Sequence, residues 1–209
     1  MTWTSAVGRV CGGLLDAIVR MLALARIHPN ILTVMGLVVN SYAAFLFGYA
    51  TGENQRRMFL YAGLVIIGSG FFDLVDGRVA RALNKVSLFG AFFDSVVDRY
   101  SDASLFFGLL VFYARGNRFF YVVLTALVMI SSIMVSYARA RAESLIGTCR
   151  VGFMERPERL VLLIIGAVFN VMAPVLWVIA VLSTITVIHR ITYTWQRTKE
   201  MEAPAGRAA

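Results

Sequence analysis

FFDLVDGRVARALNKVSLFGAFFDSVVDRYSD, residues 71–102, holds five aspartates in a chain that has only twelve acidic residues. Long apolar runs flank it on both sides, so this charge falls where membrane spans are expected. Asp73 and Asp76 are three residues apart, and Asp94, Asp98 and Asp102 are spaced by four, so each set projects from one face of its own helix. Counting inward from Met58 and from Ala114 at the helical rise puts Asp73 and Asp98 at about 22 to 24 Å, and Asp76 and Asp94 at about 27 to 30 Å. Two antiparallel helices would thus carry four carboxylates to one level near one face of the bilayer.

The rest of the chain agrees with a membrane setting. Its 209 residues are 59% hydrophobic with a mean hydropathy of +0.74, which leaves too little polar surface to coat a water-soluble globule. A bilayer core about 30 Å thick needs about 20 apolar residues per helix. Six segments meet or approach that length: Ile31 to Ala50, Met58 to Val75, Phe89 to Ala114, Phe119 to Ala138, Leu160 to Ala173 and Val175 to Trp195. The fifth is short, so Arg159 is expected to continue it, and Pro174 to turn the chain before the sixth. Ahead of the spans Val7, Val10, Leu14, Ile18, Met21 and Leu22 recur at helical spacing, which predicts an interfacial amphipathic helix over 5–27. The polar stretch with Pro204 and Gly206 predicts a disordered tail over 198–209. The N-terminus does not read as a cleavable signal peptide. The expected fold is an all-α integral membrane protein, a single domain over 1–197 with six transmembrane helices behind the amphipathic one.

Charge gives the orientation. Arg56, Arg57, Arg115 and Arg118 occupy the short loops after spans one and three. Of the other sixteen of the twenty basic residues, fourteen lie in or near the N-terminal helix, the loops after spans two and four, and the tail, and Arg99 and Arg190 lie within spans three and six. By the positive-inside rule both termini and the aspartate level are expected on the cytoplasmic side of a bacterial-type membrane. The net charge of +8 then reports orientation and attraction to anionic headgroups. Basic residues interleaved with aromatics on a soluble surface, which nucleic-acid binding needs, are missing. Cys11 and Cys149 have no CxxC or Cys/His spacing, so neither a disulfide framework nor a thiolate metal site is expected.

An ionised carboxylate inside a span costs at least about 2.5 kcal/mol, and four together repel one another. Cations make the arrangement sensible. Hard oxygen ligands suit Mg²⁺, Mn²⁺ or Ca²⁺, and four carboxylates match two divalent ions about 3.5 to 4 Å apart. A cation or proton pathway would draw on the same side chains. The neighbours favour an anionic substrate: Gly77 and Gly90 allow a phosphate or base to approach the backbone, and Arg78 and Arg81 follow at the mouth. A channel gains nothing from Arg81 one turn beyond its acidic pair, whereas a diphosphate needs metal on one side and guanidinium on the other.

Asp73-x-x-Asp76-Gly77-x-x-Ala80-Arg81, eight residues, then Gly90-x-x-x-Asp94-x-x-x-Asp98 resembles the signature of the CDP-alcohol phosphotransferase family at every fixed position. Pro29-Asn30-x-x-Thr33 at the start of span one is similar to a further element of that family. The resemblance implies a homodimeric membrane enzyme that binds CDP-diacylglycerol and moves its phosphatidyl group onto an alcohol, releasing CMP. It implies that Asp73, Asp76, Asp94 and Asp98 hold two Mg²⁺ or Mn²⁺ ions and that Asp98 takes the proton from the acceptor hydroxyl. It further implies that Pro29, Asn30, Thr33, Gly77, Arg81 and Gly90 line the nucleotide site. The pieces Arg139-Ala-Arg141-Ala-Glu143 and Glu155-Arg156-Pro157-Glu158-Arg159 resemble a loop of the bacterial phosphatidylinositol phosphate synthases. That likeness implies an acceptor phosphate held by Arg139, Arg159 and Arg190, with Arg139 standing where those relatives carry lysine. The expected acceptor is inositol 1-phosphate. Glycerol 3-phosphate, the acceptor of enzymes with similar loops, is the alternative.

Overall fold

The computed structural model describes residues 29–82 and 87–202, in six helices with no strand among them. They are α1 (Pro29–Tyr49), α2 (Gln55–Ala82), α3 (Leu88–Arg115), α4 (Phe119–Ile146), α5 (Arg156–Val168) and α6 (Met172–Glu202). The amphipathic helix expected over 5–27 lies outside the described residues, as do residues 203–209.

Local chemistry explains the boundaries. Pro29 opens α1 at a position whose N–H would be unpaired in any helix. Ser87 caps α3, its hydroxyl accepting from Gly90 N at 2.9 Å. The turn from α3 to α4 closes with Arg118 N donating to Tyr113 O at 2.9 Å and Asn117 in the left-handed region at φ 53°. The turn from α5 to α6 differs from the expectation. Asn170, at φ 56°, reverses the chain with Val171 N donating to Gly166 O at 2.9 Å. Pro174 sits inside the first turn of α6, where its missing N–H costs nothing. Helix α6 also runs past the expected start of the tail as far as Glu202. Arg197 pairs with Glu200 there at 2.9 Å, and Thr198 Oγ1 donates back to Thr194 O at 3.0 Å.

Among the described residues each helix packs extensively on two others: α1 on α2 and α3, α2 on α5, α5 on α6, α6 on α4, and α4 on α3. The helices therefore close a ring in the order α1, α2, α5, α6, α4, α3. The two aspartate-bearing helices, α2 and α3, are joined through α1 rather than by contact along their length.

One end of the ring is plugged by apolar side chains. Phe47, Phe59 and Phe112, from α1, α2 and α3, meet edge to face with centroids 5.0 and 4.9 Å apart. Leu124, Leu163 and Leu176 bring in the remaining three helices. Toward the other end the buried residues turn polar: Asn40 Nδ2 donates to Ser101 Oγ at 2.5 Å, and Asp102, Arg159 and Arg190 are all buried. The outside is the reverse of a soluble protein, with Val38, Phe45, Leu64, Ile130, Val181 and Ile188 exposed. Among the described residues, Asn30–Tyr49, Phe119–Ile146 and Met172–Glu202 are long and apolar enough to cross a bilayer. Helix α5, at 13 residues, is too short by the same measure. The chain is an all-α membrane protein.

The α1–α3 crossing depends on one glycine. A Cβ added to Gly108 would lie 2.2 Å from Ala44 O, so the two backbones touch there. Gly108→Ala is expected to push the helices apart and destabilise the fold by at least the about 1 to 3 kcal/mol typical of overpacking. Gly68→Ala, with nothing within 4 Å of its added Cβ, is expected to be neutral or slightly stabilising. Thermal unfolding in detergent compares the two, and equal melting temperatures would refute the close crossing.

Candidate active site

The polar end of the ring is built from the ends of several helices. Gly90 N bonds Ser87 Oγ in the first turn of α3, and a Cβ added at Gly90 would lie 3.8 Å from Asn30 Oδ1 at the start of α1. Two of the expected nucleotide residues, Asn30 and Gly90, are thereby brought together. Thr33 lies one turn further along α1 and is buried. Pro29, Asp73, Asp76, Gly77 and Arg81 sit on the backbones of α1 and α2, but their side chains lie outside the described residues. Among the described residues no three ligating side chains converge into a metal-sized cluster. Asp94 and Asp98, half of the expected metal set, are half-buried on α3.

From Asp94 the polar face of α3 continues through Asp98 to Asp102, and arginines of α5 reach it. Helices α3 and α5 are not neighbours in the ring, so these side chains cross the interior. Arg156 Nη1 lies 2.9 Å from Asp98 Oδ1, and Arg156 Nε lies 3.4 Å from Asp102 Oδ1. Arg159 Nη2 donates to the other oxygen of Asp102 at 2.5 Å. The start of α5 is stiffened for this task. Pro157 stands in its first turn, and Glu155 N donates to Glu158 Oε2 at 3.1 Å in a capping box.

The expected anion-binding arginines differ in how they are occupied. Arg190, 1% exposed, donates from Nη1 to Val135 O at 2.6 Å, from Nε to Val151 O at 2.9 Å and from Nη2 to Glu155 Oε1 at 2.9 Å. Arg139 reaches the same Glu155 oxygen at 2.8 Å and bonds Glu143 at 3.0 Å. Glu155 thus bridges Arg139 and Arg190. Gly152 makes room for the loop that carries it: at φ 96° it passes so near α6 that a Cβ would lie 2.4 Å from Thr186 Cγ2. Arg159 is the exception. It is 2% exposed, and its Nε and Nη1 have no hydrogen-bond partner among the described residues. A buried guanidinium with two open donor atoms is costly unless an anion completes it.

Asp102, Glu155 and Arg156 lie in the site although they are not among the site residues expected from the sequence. Two signals pointed to them. Asp102 continues the four-residue spacing of Asp94 and Asp98, and Glu155 and Arg156 belong to the same short piece as Arg159.

Comparison with known proteins fits this geometry. The model of the family described as CDP-alcohol phosphatidyltransferase matches residues 26–195. An archaetidylinositol phosphate synthase of Pyrococcus horikoshii is 40% identical over 178 residues, which is 85% of this chain and 88% of that protein. The crystal structure of Mycobacterium tuberculosis phosphatidylinositol phosphate synthase with CDP-DAG bound superposes with a TM-score of 0.77 at 30% identity, covering 87% of this chain and 93% of that one. The same protein in complex with manganese and citrate superposes with a TM-score of 0.75 at 30% identity, covering 87% and 88%. With an acidic helix face, crossing arginines and a family match that spans nearly all of the described residues, the chain is a transferase and belongs to the CDP-alcohol phosphatidyltransferase family.

Proposed function

We propose that this enzyme transfers the phosphatidyl group of CDP-diacylglycerol to inositol 1-phosphate, forming phosphatidylinositol phosphate and CMP. The observation that carries the acceptor is Arg159, a buried cation at the charged end of the ring with two donor atoms unfilled among the described residues. Arg139 and Arg190, linked through Glu155, complete the anion site. The names of the Pyrococcus and Mycobacterium relatives, an archaetidylinositol phosphate synthase and a phosphatidylinositol phosphate synthase, support the same acceptor.

In this reading the six helices, the short α5 among them, form one membrane-embedded domain over 1–197, with both termini and the site on the cytoplasmic side and two copies forming a homodimer. The acyl chains stay in lipid while a soluble polyol phosphate enters from water. Pro29, Asn30, Thr33, Gly77, Arg81 and Gly90 hold the nucleotide. Asp94 and Asp98 supply hard oxygen donors from one helix face, which suits Mg²⁺ or Mn²⁺, and Asp73 and Asp76 complete the set. The manganese complex of the Mycobacterium relative supports the same ligand class. Bound there, divalent ions supply charge neutralisation and Lewis acidity at the diphosphate.

The chain's own residues do the rest. Arg139, Arg159 and Arg190 fix the acceptor by its phosphate, and Asp98 accepts the proton of the attacking hydroxyl. The hydroxyl oxygen bonds to the lipid-bearing phosphorus as the bond to CMP breaks, and Arg81 stabilises the departing phosphate. The cation-pathway reading is set aside, because the family is one of transferases.

A panel of inositol 1-phosphate, glycerol 3-phosphate, free inositol and serine, supplied with CDP-diacylglycerol and Mn²⁺ or Mg²⁺ and scored by CMP release, tests the acceptor. Phosphorylated acceptors are expected to exceed neutral ones by at least about tenfold, since each charge-assisted hydrogen bond contributes about 1.5 to 3 kcal/mol. Inositol 1-phosphate is expected to lead. Equal rates with free inositol would refute the anion site, and a lead for glycerol 3-phosphate would make the enzyme a phosphatidylglycerophosphate synthase.

A further inference from the structure

Arg156 and Asp102 have no part in the mechanism above, yet they lie between its two halves. Arg156 and Arg159 are three residues apart on α5, and Asp98 and Asp102 are four apart on α3, so each pair lies on one helix face. Across the ring the pairs interlock. Asp102 accepts at Oδ2 from Arg159 Nη2 at 2.5 Å and at Oδ1 from Arg156 Nε at 3.4 Å, while Arg156 Nη1 holds Asp98 Oδ1 at 2.9 Å.

We infer that Arg156 and Asp102 are positioning residues that fix the candidate base relative to the acceptor anion, through the continuous chain Arg159, Asp102, Arg156, Asp98. The inference rests on the function proposed above.

Three features favour this over a plain brace or a further phosphate ligand. Arg156 turns two different nitrogens toward two different aspartates, a fork that lysine cannot copy. Arg159, by contrast, spends Nη2 on Asp102 and leaves Nε and Nη1 for an anion. Asp102, 6% exposed, is shared between the two guanidiniums, so moving either one disturbs the other's partner. Neighbouring arginines of one motif are thereby given separate tasks: Arg159 seats the phosphate, and Arg156 sets the carboxylate that meets the hydroxyl. Transfer is sensitive to such placement, since a displacement of about 1 Å can cost about a hundredfold in rate.

The test is steady-state kinetics of CMP release with inositol 1-phosphate as the varied substrate. Arg156→Ala is expected to lower kcat between about tenfold and a hundredfold while the acceptor KM stays within about twofold. Arg159→Lys, which keeps a cation beside Asp102 but loses the planar donors, is expected to raise the acceptor KM by about tenfold. Asp102→Asn releases both arginines and is expected to move both constants. Should Arg156→Ala fail to fold, Arg156→Lys keeps the charge without the fork, and the same loss of kcat at unchanged KM is expected.

A raised KM with normal kcat in the Arg156 variants would make Arg156 a phosphate ligand instead. Losses in every variant that track the folded fraction, measured by thermal unfolding, would reduce the chain of ion pairs to a brace. Wild-type activity separates the two levels of inference. A wild type inactive with every phosphorylated polyol overturns the proposed function and this coupling together, whereas an active wild type with unchanged variants overturns the coupling alone.

Discussion

Asp98→Asn is expected to lower turnover by between about 10² and 10⁴-fold, the range for removal of a general base, while binding of CDP-diacylglycerol persists. Asparagine keeps the shape of the side chain and an oxygen that can face Arg156, so the packing of the chamber is largely preserved. What it loses is the capacity to take a proton from the attacking hydroxyl. The proposed mechanism gives that role to Asp98, which is half-buried on α3 with Oδ1 held by Arg156 at 2.9 Å. CMP release measures the loss, and a thermal upshift on adding CDP-diacylglycerol shows that the nucleotide site survives. A variant with near wild-type turnover would assign the proton to another group. One that no longer binds the CDP-lipid would make Asp98 a binding residue first.

The parts of this site that could be read in the sequence are those that depend on spacing along one helix. The run from Asp94 through Asp98 to Asp102 maps onto one face of α3 because helical periodicity is a local property. Each of the six described helices overlaps an apolar run legible in the sequence, although α5 ends at Val168 rather than at Ala173. Their order around the ring was not legible. In a bilayer both lipid and neighbouring helices are apolar, so the face that meets a partner carries no contrast in hydrophobicity. Gly108 marks the α1–α3 contact only once Ala44 O is seen against it. Pro174 misled for a different reason: proline is tolerated in the first turn of a helix, and the reversal is made by Asn170 in a left-handed conformation that asparagine adopts more readily than most residues. Arg156 and Asp102 required the third dimension, because their link spans two helices that are not neighbours in the ring and meet only through long side chains. Glu155 escaped for a similar reason. Its two arginines come from α4 and α6, which lie together in the ring but far apart in the chain.

Removal of divalent cations is expected to have the largest effect of all, with CMP release falling below detection in EDTA and returning on addition of Mn²⁺ or Mg²⁺. The reason is electrostatic. Two carboxylates 4 Å apart repel by about 4 kcal/mol at the effective dielectric of a protein. The proposed metal set brings four of them, Asp73, Asp76, Asp94 and Asp98, toward the interior of a membrane protein. Arg156 relieves only part of that at Asp98, and an incoming diphosphate adds negative charge beside it. A cation held by these oxygens therefore favours both the folded chamber and the substrate complex, which gives the prediction a readout apart from turnover. Mn²⁺ added to the EDTA-treated protein at about 100 times its Kd is expected to stabilise the fold by about 2.7 kcal/mol, seen as a rise in melting temperature. Asp94→Asn, which weakens one ligand while leaving the arginines of α5 in place, is expected to shrink that rise and to need more Mn²⁺ for half of its effect. Turnover in metal-free buffer would remove the ions from the mechanism. An unchanged Mn²⁺ response in Asp94→Asn would remove Asp94 from their ligands, and the acidic face of α3 would then have to be explained by its arginine partners alone.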